Sequence, residues 1–144
     1  MSPVSGGVIR ALQLVAAVVL ALHGVVHLLG FVAQWQLATL AELPYRTTIL
    51  DGAVDIGATG ARIEGLGWLA LVPAWLVAAY ALARDRSWAL VLIGIVSALS
   101  LGLCLLGMPY TRIGMLLNVG ILAVAGYILL MVRPAGARAT RRTG

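Results

Sequence analysis

His23 and His27 stand four residues apart in the run Leu22-His23-Gly24-Val25-Val26-His27-Leu28-Leu29-Gly30-Phe31. Imidazole is the side chain best suited to metal ligation and to proton transfer near neutral pH. At about 100° per residue, positions i and i+4 share a helix face, which here also carries Ala16, Gly30 and Gln34. Imidazoles at this spacing chelate a metal well, but a closed site needs a third ligand, for which Glu64, Cys104 or a loop carboxylate are the candidates. A haem held between two imidazoles needs them on opposite sides of the ring, so it would require a dimer, or one histidine with another axial ligand. The plainer alternative is structural: the pair hydrogen-bonds with Asn118 or serines and fixes the register of a helical bundle.

The elements that position these residues follow from composition. Of 144 residues, 62% are hydrophobic and only 10% charged, with a mean hydropathy of +1.04. A soluble domain is nearer half apolar and about one quarter charged, because its surface must be wetted. The chain is therefore expected to lie in lipid over most of its length. Lipid admits only helices or closed barrels, and no segment alternates as a barrel strand must. A helix needs roughly 20 apolar residues to cross the hydrocarbon core. Four stretches meet that requirement, roughly 8–33, 66–83, 88–108 and 113–132. The first is read as a retained anchor, since its apolar run continues through Phe31 without a small-residue cleavage site where it ends.

The expected fold is thus an all-α membrane protein, a single domain over 1–133 built as an up-down bundle of four transmembrane helices, with a basic, disordered tail over 134–144. Short connections, Arg84-Asp85-Arg86-Ser87 and Pro109-Tyr110-Thr111-Arg112, force antiparallel neighbours, and Thr111 is placed to cap the fourth helix. The first connection, 34–61, is long. Within it Thr47-Thr48-Ile49-Leu50, Asp51-Gly52 and Ala53-Val54-Asp55-Ile56 read as a small β-hairpin with a type I′ turn. A loop of this length over a bundle is a place for a lid or a partner surface.

All ten basic residues are arginine. Arg10, Arg84, Arg86, Arg133, Arg138, Arg141 and Arg142 fall on one side, against Arg46, Arg62 and Arg112 on the other, beside Glu42, Asp51, Asp55 and Glu64. Positive charge marks cytoplasmic flanks, so both termini are expected in the cytoplasm and the long loop outside. The same placement argues for lipid headgroups rather than nucleic acid as the partner of the net +5 charge. Trp35, Trp88 and Tyr110 lie at span ends as interfacial anchors.

Depth can be counted from the expected outer ends at about 1.5 Å per residue. Asn118 then lies about 8 Å in, Cys104 about 6 Å, Ser100 about 12 Å and His27 about 9 Å, with Glu64 at the outer mouth of the second helix. Gly94, Ala98 and Gly102 form a small-residue ridge expected to face a neighbouring helix. Pro73 should kink the second helix, on which Trp68 and Trp75 share a face.

Several activities are disfavoured. A single cysteine, Cys104, removes the membrane thiol oxidoreductases that close a disulfide. Asp51-Gly52-Ala53-Val54-Asp55 lacks the continuation of the CDP-alcohol phosphotransferase motif, and the first span lacks the carboxylate on which small multidrug transporters couple. The first-span histidine run, the outer Leu50-Asp51-Gly52 and Gly65-Leu66-Gly67-Trp68-Leu69 together resemble a group of small, uncharacterised four-helix bacterial membrane proteins. The resemblance covers most of the chain from His23 to Asn118. It implies the four-helix fold and singles out His23 and His27 without assigning them a role. The use of arginine alone, with abundant Ala, Gly and Val, fits a high-GC bacterium. The expected function is a non-enzymatic accessory or binding component of the bacterial inner membrane, acting with a protein partner, a second copy or a small ligand. His23, His27, Asn118 and Glu64 are the candidate ligand-binding residues, and a metal- or haem-binding redox or transport protein using His23 and His27 is the competing class.

Overall fold

The computed structural model describes residues 3–132, and the 134–144 tail expected to be disordered lies outside them. Helix α1 (Pro3–Gln34) is followed by a loop carrying strands β1 (Thr48–Ile49) and β2 (Val54–Asp55), then by α2 (Gly57–Ala83), α3 (Ala89–Leu106) and α4 (Arg112–Val132). All four helices are long and apolar enough to cross a membrane. α1 packs along α2, α2 against α3, and α3 against α4. Polar contacts fix their directions: Arg10 and Gln13 near the start of α1 bond to carbonyls at the end of α2, while Gln34 at the end of α1 meets Glu64 early in α2. Likewise Asn118 near the start of α4 meets Ser100 late in α3. Gly67 near the start of α2 lies against Leu103 near the end of α3, so consecutive helices are antiparallel throughout.

The core shows why these residues form these contacts. Leu20 of α1, Leu71, Trp75, Ala78 and Ala79 of α2, Ile93 and Val96 of α3 and Ala125 of α4 form one buried cluster. The buried face of α1 steps through Ala17, Leu20, Gly24, His27, Gly30 and Gln34 at the three- and four-residue spacing of a helix stripe. Ala16, expected on that face, is exposed, and Ala17 takes the inward position. Two of its glycines are required by close approach. A Cβ at Gly24 would sit 2.5 Å from Trp75 Cβ, and one at Gly30 would sit 2.5 Å from Trp68 Cγ. The two indoles of α2 thus lie directly on the backbone of α1, next to the imidazoles.

The ridge on α3 is a correction. Ala98 and Gly102 are exposed, and a Cβ added at Gly94 or Gly102 would meet nothing within 4 Å. The packed face of α3 is instead Ile93, Val96, Ser97, Ser100 and Cys104. Buried hydroxyls and a thiol, which must find partners or stay out of lipid, outrank small size in deciding which way the helix turns. A second correction concerns α2, which begins at Gly57 rather than near residue 66. Its first turns carry Arg62 and Glu64, so hydropathy alone places the start too late, whereas Ala61, Glu64, Gly65 and Trp68 already form its buried stripe. The first connection shortens accordingly to 35–56. Pro73 lies on the exposed side of an unbroken α2.

Helix ends are closed by the chain itself. α1 ends with Gln36 at φ 54°, the Leu37 amide donating to Val32 and the Gln36 amide to Ala33, and α2 repeats the pattern with Asp85 at φ 54° and bonds to Ala81 and Leu82. The hairpin pairs Thr48 with Asp55 and Ile49 with Val54. Asp51 and Gly52 at its tip have φ 57° and 84°, and the Ala53 amide donates to Leu50, the pattern of a type I′ turn. The tip does more than turn. The Leu50 amide donates to the Leu106 carbonyl and the Asp51 amide to the Met108 carbonyl, supplying partners to orphan acceptors where α3 ends. Thr111, expected to cap α4, instead donates its hydroxyl to the Cys104 carbonyl of α3.

Candidate functional site

Two polar layers lie inside the bundle, stacked along its axis. The deeper one is built on His27, which is 4% exposed. Its Nδ1 lies 2.8 Å from the His23 carbonyl, which can only accept, so Nδ1 carries the proton. Nε2 of the neutral ring is then the acceptor, and the Ser100 hydroxyl donates to it at 2.7 Å. Ser100 Oγ in turn accepts from Asn118 Nδ2 at 2.9 Å, and the same amide nitrogen donates to the Gly114 carbonyl at 2.8 Å. Ser97 completes the layer by donating to Asn118 Oδ1 at 3.2 Å and to its backbone carbonyl at 3.0 Å. A directed chain of hydrogen bonds therefore runs from α4 through α3 to α1, and Asn118, Ser97 and Ser100 are completely buried. Cys104 sits at its edge, 3.7 Å from Asn118 Nδ2.

His23, one turn deeper, lies at the edge of this chain, beside Asn118. Its ring packs edge-on against His27 and Trp75, with centroids 4.9 Å away in each case, and its buried Nε2 has no hydrogen-bond partner. Trp75 Nε1 is likewise buried without a partner. The two histidines are neighbours, as their spacing requires, yet they are chemically unequal. Both ring nitrogens of His27 are engaged, whereas His23 contributes only its carbonyl to the chain.

The second layer is ionic and lies at the loop-side end. Glu64, 7% exposed, accepts from Gln34 Nε2 at 2.9 Å through Oε2, and from Arg46 Nη2 at 3.1 Å and Trp68 Nε1 at 3.3 Å through Oε1. Arg46 also donates Nη1 to the Gly107 carbonyl at 2.6 Å, and its guanidinium carbon lies 5.6 Å from the centre of the Tyr110 ring. A cation at the C-terminal end of α3 complements the carbonyls gathered there. Trp68 joins the two layers, bonding Glu64 at its edge while its ring lies 5.4 Å from that of His27.

Two cavities flank Arg46. One, of about 10 Å³ and so large enough for a single water, is lined by Gly30, Gln34, Arg46, Glu64 and Trp68 among others. The other is an open cleft of about 240 Å³ between the hairpin and the α3–α4 turn, lined by Arg46, Thr48, Asp51 and Tyr110 among others.

The candidates chosen from sequence therefore separate. His27, Asn118, Ser100 and Cys104 converge as their depths suggest, while Glu64 belongs to the other layer. Among the described residues no group of three or more His, Cys, Asp or Glu side chains is placed to hold a metal ion. Arg46, Ser97 and the indole of Trp68 were not singled out as site residues by the sequence. Arg46 counts there only as a charge on the loop side. Ser97, one turn before Ser100, leaves a readable signal in the Ser-x-x-Ser spacing. No protein-family model, no curated protein and no solved structure matches the chain.

Proposed function

We propose that this chain is a non-enzymatic, multi-pass component of a bacterial inner membrane, with both termini in the cytoplasm, that binds a partner or small ligand at its loop-side end. The observation that carries this reading is the contrast between the interior and that end. The deeper layer is nearly closed on itself by hydrogen bonds, which is the economy of a structural polar core in lipid. The loop-side end instead presents the open cleft beside Asp51, Thr48 and Tyr110, framed by a loop held down through Arg46 and the hairpin tip.

The arrangement of His27 bears on the competing metal or haem reading. Ligation through Nε2 would require Ser100 to give up its bond, and ligation through Nδ1 would displace the His23 carbonyl. His23 Nε2 is a buried imidazole nitrogen without a partner, and a metal held there would draw its remaining ligands from outside the described groups.

Purification in mild detergent, metal analysis and a visible spectrum separate the two classes. Protein free of metal and chromophore, and unresponsive to Zn²⁺, Cu²⁺ or haem, supports the accessory reading. For the binding end itself, a photo-crosslinking side chain at Tyr110 should capture a partner in cells, while one at Trp88, at the opposite end, should not. Stoichiometric metal or haem in the purified protein, or equal capture at the two ends, overturns the proposal.

A further inference from the structure

Arg46 is the one charged side chain of the 35–56 loop that enters the bundle, and the groups receiving it all lie outside that loop. Glu64 belongs to α2, Gly107 to the end of α3 and Tyr110 to the α3–α4 turn. A carboxylate, a carbonyl and an aromatic face, each turned on the same guanidinium, form a receptor that matches its flat, donor-only edge. Its donor positions are not all used. Arg46 Nε is buried without a partner, and so is the acceptor Gln34 Oε1, which lines the same small cavity. The receptor therefore offers one acceptor, Gln34 Oε1, beyond those that Arg46 reaches from its tether.

Arg46 also lines both the small cavity and the open cleft. Without its side chain the two spaces would join. A route would then lead from the outer surface, past Asp51 and Tyr110, to the carboxylate of Glu64. Asp51 at the entrance favours a cation along that route.

From this geometry we infer that the loop-side end is a binding site for a guanidinium group, which Arg46 occupies as an in-chain ligand and which an external guanidinium compound can fill in its place. The chemistry is shared by a free alkylguanidine and by an arginine side chain of a partner polypeptide. The inference rests on the reading of the loop-side end as the binding end, and it deepens that reading by naming the chemical group recognised.

Chemical rescue of Arg46→Ala tests it. Removing the cation leaves a buried carboxylate uncompensated, and the variant should melt roughly 10 °C or more below wild type in detergent. Ethylguanidinium at millimolar concentration, far below the molar range in which guanidinium denatures, should restore at least half of that loss with a saturating dose response. Urea, its neutral counterpart, and potassium chloride at equal ionic strength should restore none. Arg46→Ala combined with Glu64→Gln should not respond. Wild type should respond little, because a tethered Arg46 competes at high effective concentration. Rescue by a blocked Gly-Arg-Gly peptide would extend the site to a partner's side chain, and rescue by ethylguanidinium alone would restrict it to small molecules. If Arg46→Ala does not survive purification, the readout becomes the monodisperse fraction obtained with and without ethylguanidinium throughout. No recovery by either readout, or equal recovery with urea, overturns the inference. Metal analysis of the wild-type protein is independent of these outcomes, so failure of the rescue and failure of the broader reading can be told apart.

Discussion

His23 and His27 look equivalent as letters and differ as side chains, because only His27 has both ring nitrogens in hydrogen bonds, while His23 Nε2 is buried without a partner. Replacing His27 with Leu removes the acceptor of the Ser100 hydroxyl and the Nδ1 bond to the His23 carbonyl, and should lower stability in detergent by about 1 to 2 kcal/mol. Replacing His23 with Leu removes a buried Nε2 that has no partner along with a ring that neighbours Asn118, and should cost less than His27→Leu. Thermal melts of the two variants check the asymmetry, and an equal loss in both would mean that the His23 contact with Asn118 matters as much as the bonds of His27. The chain adds a second expectation: Asn118→Leu and His27→Leu both act on Ser100, so their costs should be non-additive in a double-mutant cycle by about 0.5 kcal/mol or more. Depth counting brought His27, Ser100, Cys104 and Asn118 to one level, and there the sequence was legible. It failed for Glu64 and Arg46 because an ion pair between a loop and a helix start is a long-range choice that periodicity does not record.

At the scale of elements, what decides the packing is where two tryptophans can be accepted. Trp68 and Trp75 repeat every seven residues on α2, and α1 answers with Gly30 and Gly24. Gly24→Ala and Gly30→Ala should each cost about 1 to 3 kcal/mol, since the new methyl meets fixed ring or Cβ atoms and no flexible chain end. Gly102→Ala meets nothing and should be neutral or slightly stabilising through helix propensity, and Ala98→Leu on the same outward side should be nearly silent. Melting temperatures of these four variants form one experiment. If Ala98→Leu destabilised as much as Gly30→Ala, the outward assignment of that ridge would be wrong. The existence of four helices was plain from hydropathy, yet the facing of α3 was not. Small residues suit both a close helix contact and a lipid-exposed surface, and only the buried Ser97, Ser100 and Cys104 reveal which side turned inward.

For the whole molecule the open choice is which end faces the cytoplasm, and the geometry shows which arginines share an end. Arg10 bonds the Ala83 carbonyl, so it shares an end with Arg84 and Arg86. At the other end Arg46 is neutralised by Glu64, which leaves Arg62 and Arg112 beside Glu42, Asp51 and Asp55. The sequence-based expectation from the arginine count, with the loop-side end outside, is the one to test. Gln13 and Gln34, whose amides mark the two polar ends, lie roughly 32 Å apart along α1 at 1.5 Å per residue, close to the roughly 30 Å of hydrocarbon that a span must cross. His23 falls midway between them, and the ionic layer falls at one boundary of the span, where a buried ion pair is less costly than at its centre. In a Cys104→Ala background, Ala53→Cys at the hairpin tip should react with a membrane-impermeant maleimide in intact spheroplasts. Ser87→Cys, exposed between α2 and α3, should react only after the membrane is opened. Both substitutions leave the charge balance untouched, so the reagent reports the native orientation. Labelling of Ser87→Cys alone in intact cells would invert the topology, and would put the guanidinium-receiving end in the cytoplasm.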